Sequence, residues 1–203
     1  MSRDDKPSSV LAAPQEEARF WNVPNALTVG RLLGAVVVFA LIALEMYAAA
    51  LAAFVIAAVS DALDGHFARL LNQHTSIGRQ LDPLIDKVIV SGCYIYLATN
   101  PSTGVKPWMV TAIVVRELLI QGLRSLLEGQ GQAFGASLAG KLKTTTQCLS
   151  ITAVLLGLSL ASAPDWLLSV RDLLTWSAVG LTIYSGVSYL SGAWPELRRS
   201  SRG

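Results

Sequence analysis

Charged residues are scarce in this chain. Asp, Glu, Lys and Arg make up 15% of its 203 residues, whereas hydrophobic residues make up 52% and the mean hydropathy is +0.48. This composition argues against a soluble domain and predicts several membrane-spanning segments. The formal net charge is only +2, and no run of Lys or Arg is present, so the chain is not expected to bind nucleic acid.

Cysteine and histidine are scarcer still, with two of each. Cys93 and Cys148 lie inside apolar runs without metal-ligand spacing, so we predict packed thiols that say nothing about the redox compartment. His66 and His74 have no partner at ligand spacing, and Mg²⁺ has little use for imidazole. We therefore expect neither histidine to bind a metal.

Six apolar segments are long enough to cross a bilayer, because a spanning helix needs about 20 mostly apolar residues. They cover roughly residues 26–45, 48–70, 80–99, 107–127, 143–162 and 172–193. The sequence therefore predicts an all-α, polytopic membrane protein with six transmembrane helices. We expect a flexible cytoplasmic tail at 1–19, a six-helix membrane domain at 20–194 and a basic C-terminal tail at 195–203.

Positive charges fall mostly on one side of this predicted topology. That side carries Arg3, Lys6, Arg19, Arg69, Arg79, Lys141, Lys143, Arg198, Arg199 and Arg202, and the opposite side carries Lys106 and Arg171. Because basic residues accumulate in cytoplasmic loops, both termini are predicted to lie in the cytoplasm, with the protein in the cytoplasmic (inner) membrane.

Four aspartates lie at or inside the ends of the second and third apolar segments. Spacings of i, i+3, i+4, i+7 in the second segment and i, i+4, i+8 in the third place acidic and small residues on one helix face each. These positions are Asp61, Asp64, Gly65 and Ala68 in the second segment and Gly78, Asp82 and Asp86 in the third. The segments are antiparallel neighbours joined by about ten residues, so the two faces can form a polar cavity open to the cytoplasm.

Clustered carboxylates repel one another in a medium of low dielectric constant, so their charge has to be compensated. Protonation, basic partners and divalent cations are the three possibilities, and carboxylates without His or Cys nearby suit Mg²⁺ or Mn²⁺. Pairs of such ions catalyse phosphoryl transfer in many enzymes. The structural alternative is a set of solvated helix ends paired with Arg69, Arg79 and Lys87.

The same stretch resembles a known signature. The pattern D-x2-D-G-x2-A-R-x8-G-x3-D-x3-D, typical of the CDP-alcohol phosphotransferases, is complete between Asp61 and Asp86. The resemblance implies a six-helix membrane enzyme, usually a homodimer, that cleaves the pyrophosphate of a CDP-linked substrate with divalent metal.

The resemblance also implies roles for individual residues. Asp61, Asp64 and Asp82 resemble metal ligands, and Asp86 resembles both a metal ligand and the catalytic general base that acts on the acceptor hydroxyl. Gly65, Ala68 and Gly78 would shape the cytidine pocket, with Arg69 near the nucleotide. Asn25, Thr28 and Arg31 would border the nucleotide and pyrophosphate, with helix capping as the alternative for Asn25.

Three further stretches resemble the bacterial-type phosphatidylglycerophosphate synthases of that family: NVPNALTVGR (22–31), VRELLIQGLRSLLEGQG (115–131) and AGKLKTTTQ (139–147). This resemblance implies CDP-diacylglycerol as donor and sn-glycerol 3-phosphate as acceptor. Arg116, Arg124, Lys141 and Lys143 are the candidate ligands of the acceptor phosphate. A structural pair with Glu117 or another acid is the alternative for Arg116, and anionic-lipid contacts or ordinary positive-inside placement are the alternatives for the two lysines.

Two other functions compete with this one. The same enzyme class could use another acceptor, namely phosphatidylglycerol, inositol phosphate or serine. Alternatively, intramembrane acids could bind ions in a transporter. A transporter needs access from both membrane faces, whereas the four acids are predicted to lie near one side.

Overall fold

Helices make up almost all of the described structure. The computed structural model describes the backbone of residues 23–71, 76–129 and 138–200 and the side chains of residues 29–60, 87–127 and 140–194. The helices are α1 Val23–Ala43, α2 Tyr47–Leu71, α3 Ser76–Leu97, α4 Pro107–Gly129, α5 Leu138–Ser159 and α6 Asp165–Ser200, with a 3₁₀ turn at Pro101–Thr103. These ranges contain no β-strand, so the predicted all-α class is confirmed for them.

Four helices begin close to their predicted positions, but α5 and α6 do not. Helix α5 begins at Leu138, where the prediction had residue 143, and α6 covers Asp165–Ser200, where the prediction had 172–193. Lys141 and Lys143 lower the hydropathy at the start of α5, and Arg171 and Asp172 lower it around the predicted start of α6. Helix α6 starts after Pro164, whose carbonyl accepts hydrogen bonds from the amides of Leu167 and Leu168, and Asp165 suits the positive end of the helix dipole.

A buried apolar core joins the helices. Helix α1 packs against α2 and α3, α4 packs against α3 and α6, and α5 packs against α2, α3 and α6. The largest fully buried side chains of this core are Tyr94, Phe54, Leu97, Met109 and Ile113. Cys93 is fully buried and Cys148 is half-buried, and both are free thiols. The predicted packed thiol is confirmed at Cys93.

Large apolar side chains also cover the outside of the molecule. Each of the six helices exposes several of them, including Leu33, Ile56, Leu126 and Leu173, each more than 60% exposed. Monomers surrounded by water rarely expose contiguous apolar surface on this scale. The surface is therefore suited to an apolar environment.

One helical stretch in the described part of the chain, Asp165–Trp194, is long and apolar enough to cross a membrane by itself. Shorter apolar stretches occur at Val29–Ala43, Tyr47–Ser60 and Lys87–Leu97. Trp166 and Trp194 are exposed near the two ends of the long stretch, where aromatic side chains suit a membrane interface. Six membrane crossings remain a prediction.

Two local features set how α1 meets its neighbours. Helix α1 ends in a Schellman-type turn, in which the Met46 amide donates to the Leu41 carbonyl and Glu45 takes a φ of 58°. Farther along, Gly92 of α3 lies against the ring of Phe39, where an added Cβ would be 2.2 Å from Cζ. The absence of a side chain at residue 92 thus allows α1 and α3 to approach closely.

Candidate active site

The acidic signature lies on two helices in the register that its spacing requires. Asp61 and Asp64 belong to the last part of α2, which ends at Leu71, and Asp82 and Asp86 belong to the first part of α3, which begins at Ser76. Because the backbone is helical through both stretches, residues three and four positions apart share a face. The helical backbone that the predicted stripes require is present in both stretches, and the stripes themselves stay a prediction.

The side chains of this signature lie outside the described residues. The residues of the signature concerned are Asp61, Asp64, Gly65, Ala68, Arg69, Gly78, Asp82 and Asp86. The side chains of Asn25, Thr28, His66 and His74 also lie outside the described residues. Their roles remain predictions. Across the side chains that are described, no group of three or more His, Cys, Asp or Glu residues is placed to hold a metal. The signature is the candidate metal site, and its donor set of carboxylates fits hard divalent cations.

A hydrogen bond ties the acidic end of α3 to α4. Lys87, which directly follows Asp86, donates from Nζ to Oε1 of Gln121 over 2.8 Å. Gln121 lies four residues after Glu117, so both occupy one face of α4. Residue 87 of α3, directly after the last acid of the signature, is thereby held next to that face.

Glu117 is the centre of a buried charged cluster on this face. Its Oε1 accepts a hydrogen bond from Nζ of Lys143 and lies 3.3 Å from Nη1 of Arg116. Glu117 and Lys143 are each 4% exposed. Lys143 is also close enough to Arg116 and Lys87 for their charges to interact. Two cations thus contact one carboxylate, and Lys87 adds a third positive charge close to Lys143.

Arg116 is held by packing as well as by charge. Gly186 of α6 lies beside its stem, and a Cβ added there would be 3.0 Å from Cγ of Arg116. Arg116 Nε is buried and has no hydrogen-bond partner among the described residues. The side chain therefore has donor capacity left after its contact with Glu117.

Uncharged polar side chains continue the polar region between α5 and α6. Gln147, one turn after Lys143, donates to Oγ1 of Thr182 over 3.0 Å. Ser150 and Thr175 share a 2.9 Å hydrogen bond between their hydroxyls. These groups are buried and partnered, so they contribute to the scaffold around the charged cluster.

The structure brings two of the four predicted ligands of the acceptor phosphate together at one carboxylate. Arg116 and Lys143 meet at Glu117, whereas Lys141 is exposed. Residues two positions apart on a helix differ by about 200° of rotation, so only one of the two lysines can face the cluster. Arg124 and, on α1, Arg31 are half-buried. The structure contains the ion pair between Arg116 and Glu117 that was the alternative for Arg116, and Lys143 is the second partner of Glu117.

Sequence reasoning missed the central position of Glu117 and the contact of Gln121. Glu117, Gln121 and Arg124 follow the i, i+4, i+7 spacing of one helix face, which was the available signal. The long-range contact with Lys143, 26 residues away, has no such local signal.

Known proteins resemble this chain over most of its length. A family model described as CDP-alcohol phosphatidyltransferase matches residues 21–184. The chain is 39% identical over 150 residues to the CDP-diacylglycerol–glycerol-3-phosphate 3-phosphatidyltransferase of Bacillus subtilis (strain 168), an alignment that covers 73% of this chain and 75% of the relative. It is 34% identical over 173 residues to the protein of the same name from Cereibacter sphaeroides, covering 82% of this chain and 76% of the relative. It is 32% identical over 206 residues to CDP-diacylglycerol–glycerol-3-phosphate 3-phosphatidyltransferase 2 of Arabidopsis thaliana, covering 94% and 88%.

Proposed function

Because this chain belongs to the CDP-alcohol phosphatidyltransferase family, we propose that it transfers the phosphatidyl group of CDP-diacylglycerol to sn-glycerol 3-phosphate. The products are phosphatidylglycerol phosphate and CMP, which places the reaction in phospholipid biosynthesis. The observation that carries the choice of acceptor is the shared name of the relatives, one of which is 39% identical over three quarters of its own length.

The signature on α2 and α3 suits the donor. Asp61, Asp64, Asp82 and Asp86 supply the carboxylates that would hold two divalent cations, Mg²⁺ or Mn²⁺. When bound, such ions neutralise charge on the pyrophosphate and on the departing CMP. Gly65, Ala68 and Gly78 leave room for the cytidine, and Arg69, Asn25, Thr28 and Arg31 border the nucleotide.

Asp86 is the proposed general base. The acceptor hydroxyl oxygen bonds to the phosphorus of the phosphatidyl group, the bond from that phosphorus to the CMP oxygen breaks, and the hydroxyl proton passes to the Asp86 carboxylate. Asp86 is the last acid of its stripe, and the next residue, Lys87, touches the face of α4 that carries the basic cluster. The base and the proposed acceptor pocket are therefore on adjoining helices.

Arg116 and Lys143 are the proposed ligands of the acceptor phosphate. They bring two cations from α4 and α5 to one buried point, and Arg116 Nε remains available as a further donor. A phosphate group suits such a site because charge-assisted hydrogen bonds to its oxygens are strong. Arg124, half-buried farther along α4, remains a predicted contact at its edge, whereas Lys141, exposed on the other side of α5, suits its alternative of an anionic-lipid contact.

The proposed membrane arrangement follows from the surface and from the positions of the charges. All six helices expose large apolar side chains, which supports six crossings. The excess of Lys and Arg on one side supports cytoplasmic termini and a cytoplasm-facing active site in the cytoplasmic membrane. A homodimer is proposed on the family resemblance alone.

A panel of labelled acceptors tests the function. Purified protein is given CDP-diacylglycerol with sn-glycerol 3-phosphate, phosphatidylglycerol, inositol phosphate or serine, each with Mg²⁺ or Mn²⁺. We expect label in lipid, and stoichiometric CMP, with sn-glycerol 3-phosphate. Turnover with phosphatidylglycerol alone would indicate a cardiolipin synthase, and no CMP with any acceptor would remove the enzymatic assignment.

A further inference from the structure

The Glu117 carboxylate lies between the buried ammonium of Lys143 and the half-buried guanidinium of Arg116. A single oxygen, Oε1, receives Lys143 from α5 and Arg116 from its own helix. The side chains of Glu117 and Lys143 are each 5% exposed and that of Arg116 is 14% exposed, so water does little to screen the three charges. Two like charges lie close together here because a carboxylate stands between them.

A phosphomonoester has the same chemistry as this carboxylate, with more oxygens and more charge. It can accept from Arg116 and Lys143 at once, and it can also use Arg116 Nε, which has no partner among the described residues. Competition for these donors rests on the proposed function, in which Arg116 and Lys143 bind the acceptor phosphate. The phosphate and the Glu117 carboxylate then need the same hydrogen-bond donors.

We propose that Glu117 is a displaceable counter-ion that holds the acceptor-phosphate pocket in its charged form while the pocket is empty. Binding of the acceptor then exchanges one anion for another: the phosphate takes the contacts of Oε1 with Lys143 and Arg116, and the Glu117 carboxylate withdraws from them. Glu117 is a positioning residue in this account and does not touch the reacting atoms.

The surrounding charges explain why such a counter-ion is needed. Lys143 interacts with Arg116 and with Lys87 as well as with Glu117. A buried cation without a partner is costly, and several together are costlier. Glu117 therefore stabilises the empty pocket, and the phosphate provides the same stabilisation when it is bound.

The exchange also selects among acceptors. An alcohol without a phosphomonoester, such as serine, would have to displace the carboxylate without replacing its charge, which would leave Lys143 and Arg116 without a close anion. The cost of desolvated, unpaired cations opposes that exchange. Glu117 thus favours acceptors that carry a doubly charged phosphate.

Inorganic phosphate is the direct probe, because it tests the pocket without any transfer reaction. Thermal unfolding of the purified full-length protein is followed over a phosphate series for the wild type and for Glu117→Gln. Without phosphate we expect the variant to unfold at a lower temperature. The amide introduced by Glu117→Gln competes less well than the carboxylate for the cations. We therefore expect the dissociation constant of the variant for phosphate to fall on the order of tenfold, and phosphate to stabilise the variant more than it stabilises the wild type.

Two further variants identify the cause. Combining Glu117→Gln with Lys143→Met removes one of the shared cations, so the added stabilisation by phosphate should disappear. Gln147→Leu removes a buried polar partner one turn away, at the hydrogen bond to Thr182. It should lower stability while leaving the phosphate effect at the wild-type value, which separates a general structural defect from a loss of the counter-ion.

Equal or smaller phosphate stabilisation in Glu117→Gln than in the wild type would overturn the proposal. If that variant does not fold, Glu117→Asp replaces it, since a shorter carboxylate is drawn back from Lys143 and should also bind phosphate more tightly than the wild type; unchanged affinity would overturn the proposal. Failure of the proposed function is a separate result, seen as absence of CMP release in the acceptor panel while the affinity for inorganic phosphate still responds to substitution of Glu117.

Discussion

Lys87 and Gln121 join α3 to α4 directly beside the acidic signature. The ammonium of Lys87 donates to the side-chain oxygen of Gln121 over 2.8 Å, and Lys87 is the residue after Asp86. A helix that carries a base has to be held in a fixed position relative to the helix that carries the acceptor pocket. This hydrogen bond is one contact that can hold α3 in place.

We expect Gln121→Ala to lower kcat several-fold, because the hydrogen bond to a charged donor contributes on the order of 1.5–3 kcal/mol. Steady-state transfer of label to lipid measures the effect. Gln121→Glu keeps an acceptor for Lys87 and serves as the control, with activity closer to the wild type. Equal activity in Gln121→Ala and the wild type would show that the Lys87 contact does not position α3.

Removal of the Arg116 guanidinium should weaken acceptor binding selectively. We expect Arg116→Ala to raise the KM for sn-glycerol 3-phosphate by roughly tenfold to a hundredfold, the equivalent of one or two charge-assisted hydrogen bonds, with little change in the KM for CDP-diacylglycerol. Lys141→Ala, which alters an exposed cation two residues from Lys143, is the matched control and should have a much smaller effect. A larger change for the donor than for the acceptor would place the acceptor pocket elsewhere.

Asp86 should be required for chemistry and dispensable for donor binding. We expect Asp86→Asn to lower kcat by a factor of about 10²–10⁴, the usual contribution of a general base, while metal-dependent binding of CDP-diacylglycerol persists. Equilibrium binding and turnover are measured on the same preparation. Turnover close to the wild type would exclude Asp86 as the base.

The close approach of α1 and α3 should depend on Gly92. A Cβ at this position would lie 2.2 Å from Cζ of Phe39, and the Phe39 ring stacks on Tyr96 with centroids 5.6 Å apart, so the ring has to move. We expect Gly92→Ala to lower the free energy of unfolding by about 1–3 kcal/mol. Gly34→Ala on α1, with no heavy atom within 4 Å of its added Cβ, is the control and should be neutral or stabilising. A neutral Gly92→Ala would mean that Phe39 repacks without cost.

The all-α class and the register of the acidic stripes were predictable because both depend on local periodicity. The predicted starts of the first four helices differ from Val23, Tyr47, Ser76 and Pro107 by four residues at most, since apolar runs mark them. Helix α5 was placed too late because its first turns, from Leu138, contain Lys141 and Lys143, whose charges lower the hydropathy.

The charged cluster was only partly predictable. Helical geometry alone could have separated Lys141 from Lys143, because residues two apart point to nearly opposite sides. The meeting of Lys143 with Glu117 depends on how α3 and α6, which both contact α4 and α5, place those two helices, and no local pattern encodes that contact. The sequence places Glu117 next to Arg116 but gives no sign of its second cation, Lys143, because that residue is 26 positions away.

Chelation tests the central claim most directly: acids on α2 and α3 hold divalent cations against the pyrophosphate of CDP-diacylglycerol. Transfer of labelled sn-glycerol 3-phosphate is measured before exhaustive EDTA treatment, after it, and after Mg²⁺ or Mn²⁺ is restored. We expect loss of transfer on chelation and recovery when the metal is restored, with no recovery in Asp61→Asn or Asp82→Asn. Full activity in the chelated wild-type protein would contradict this claim.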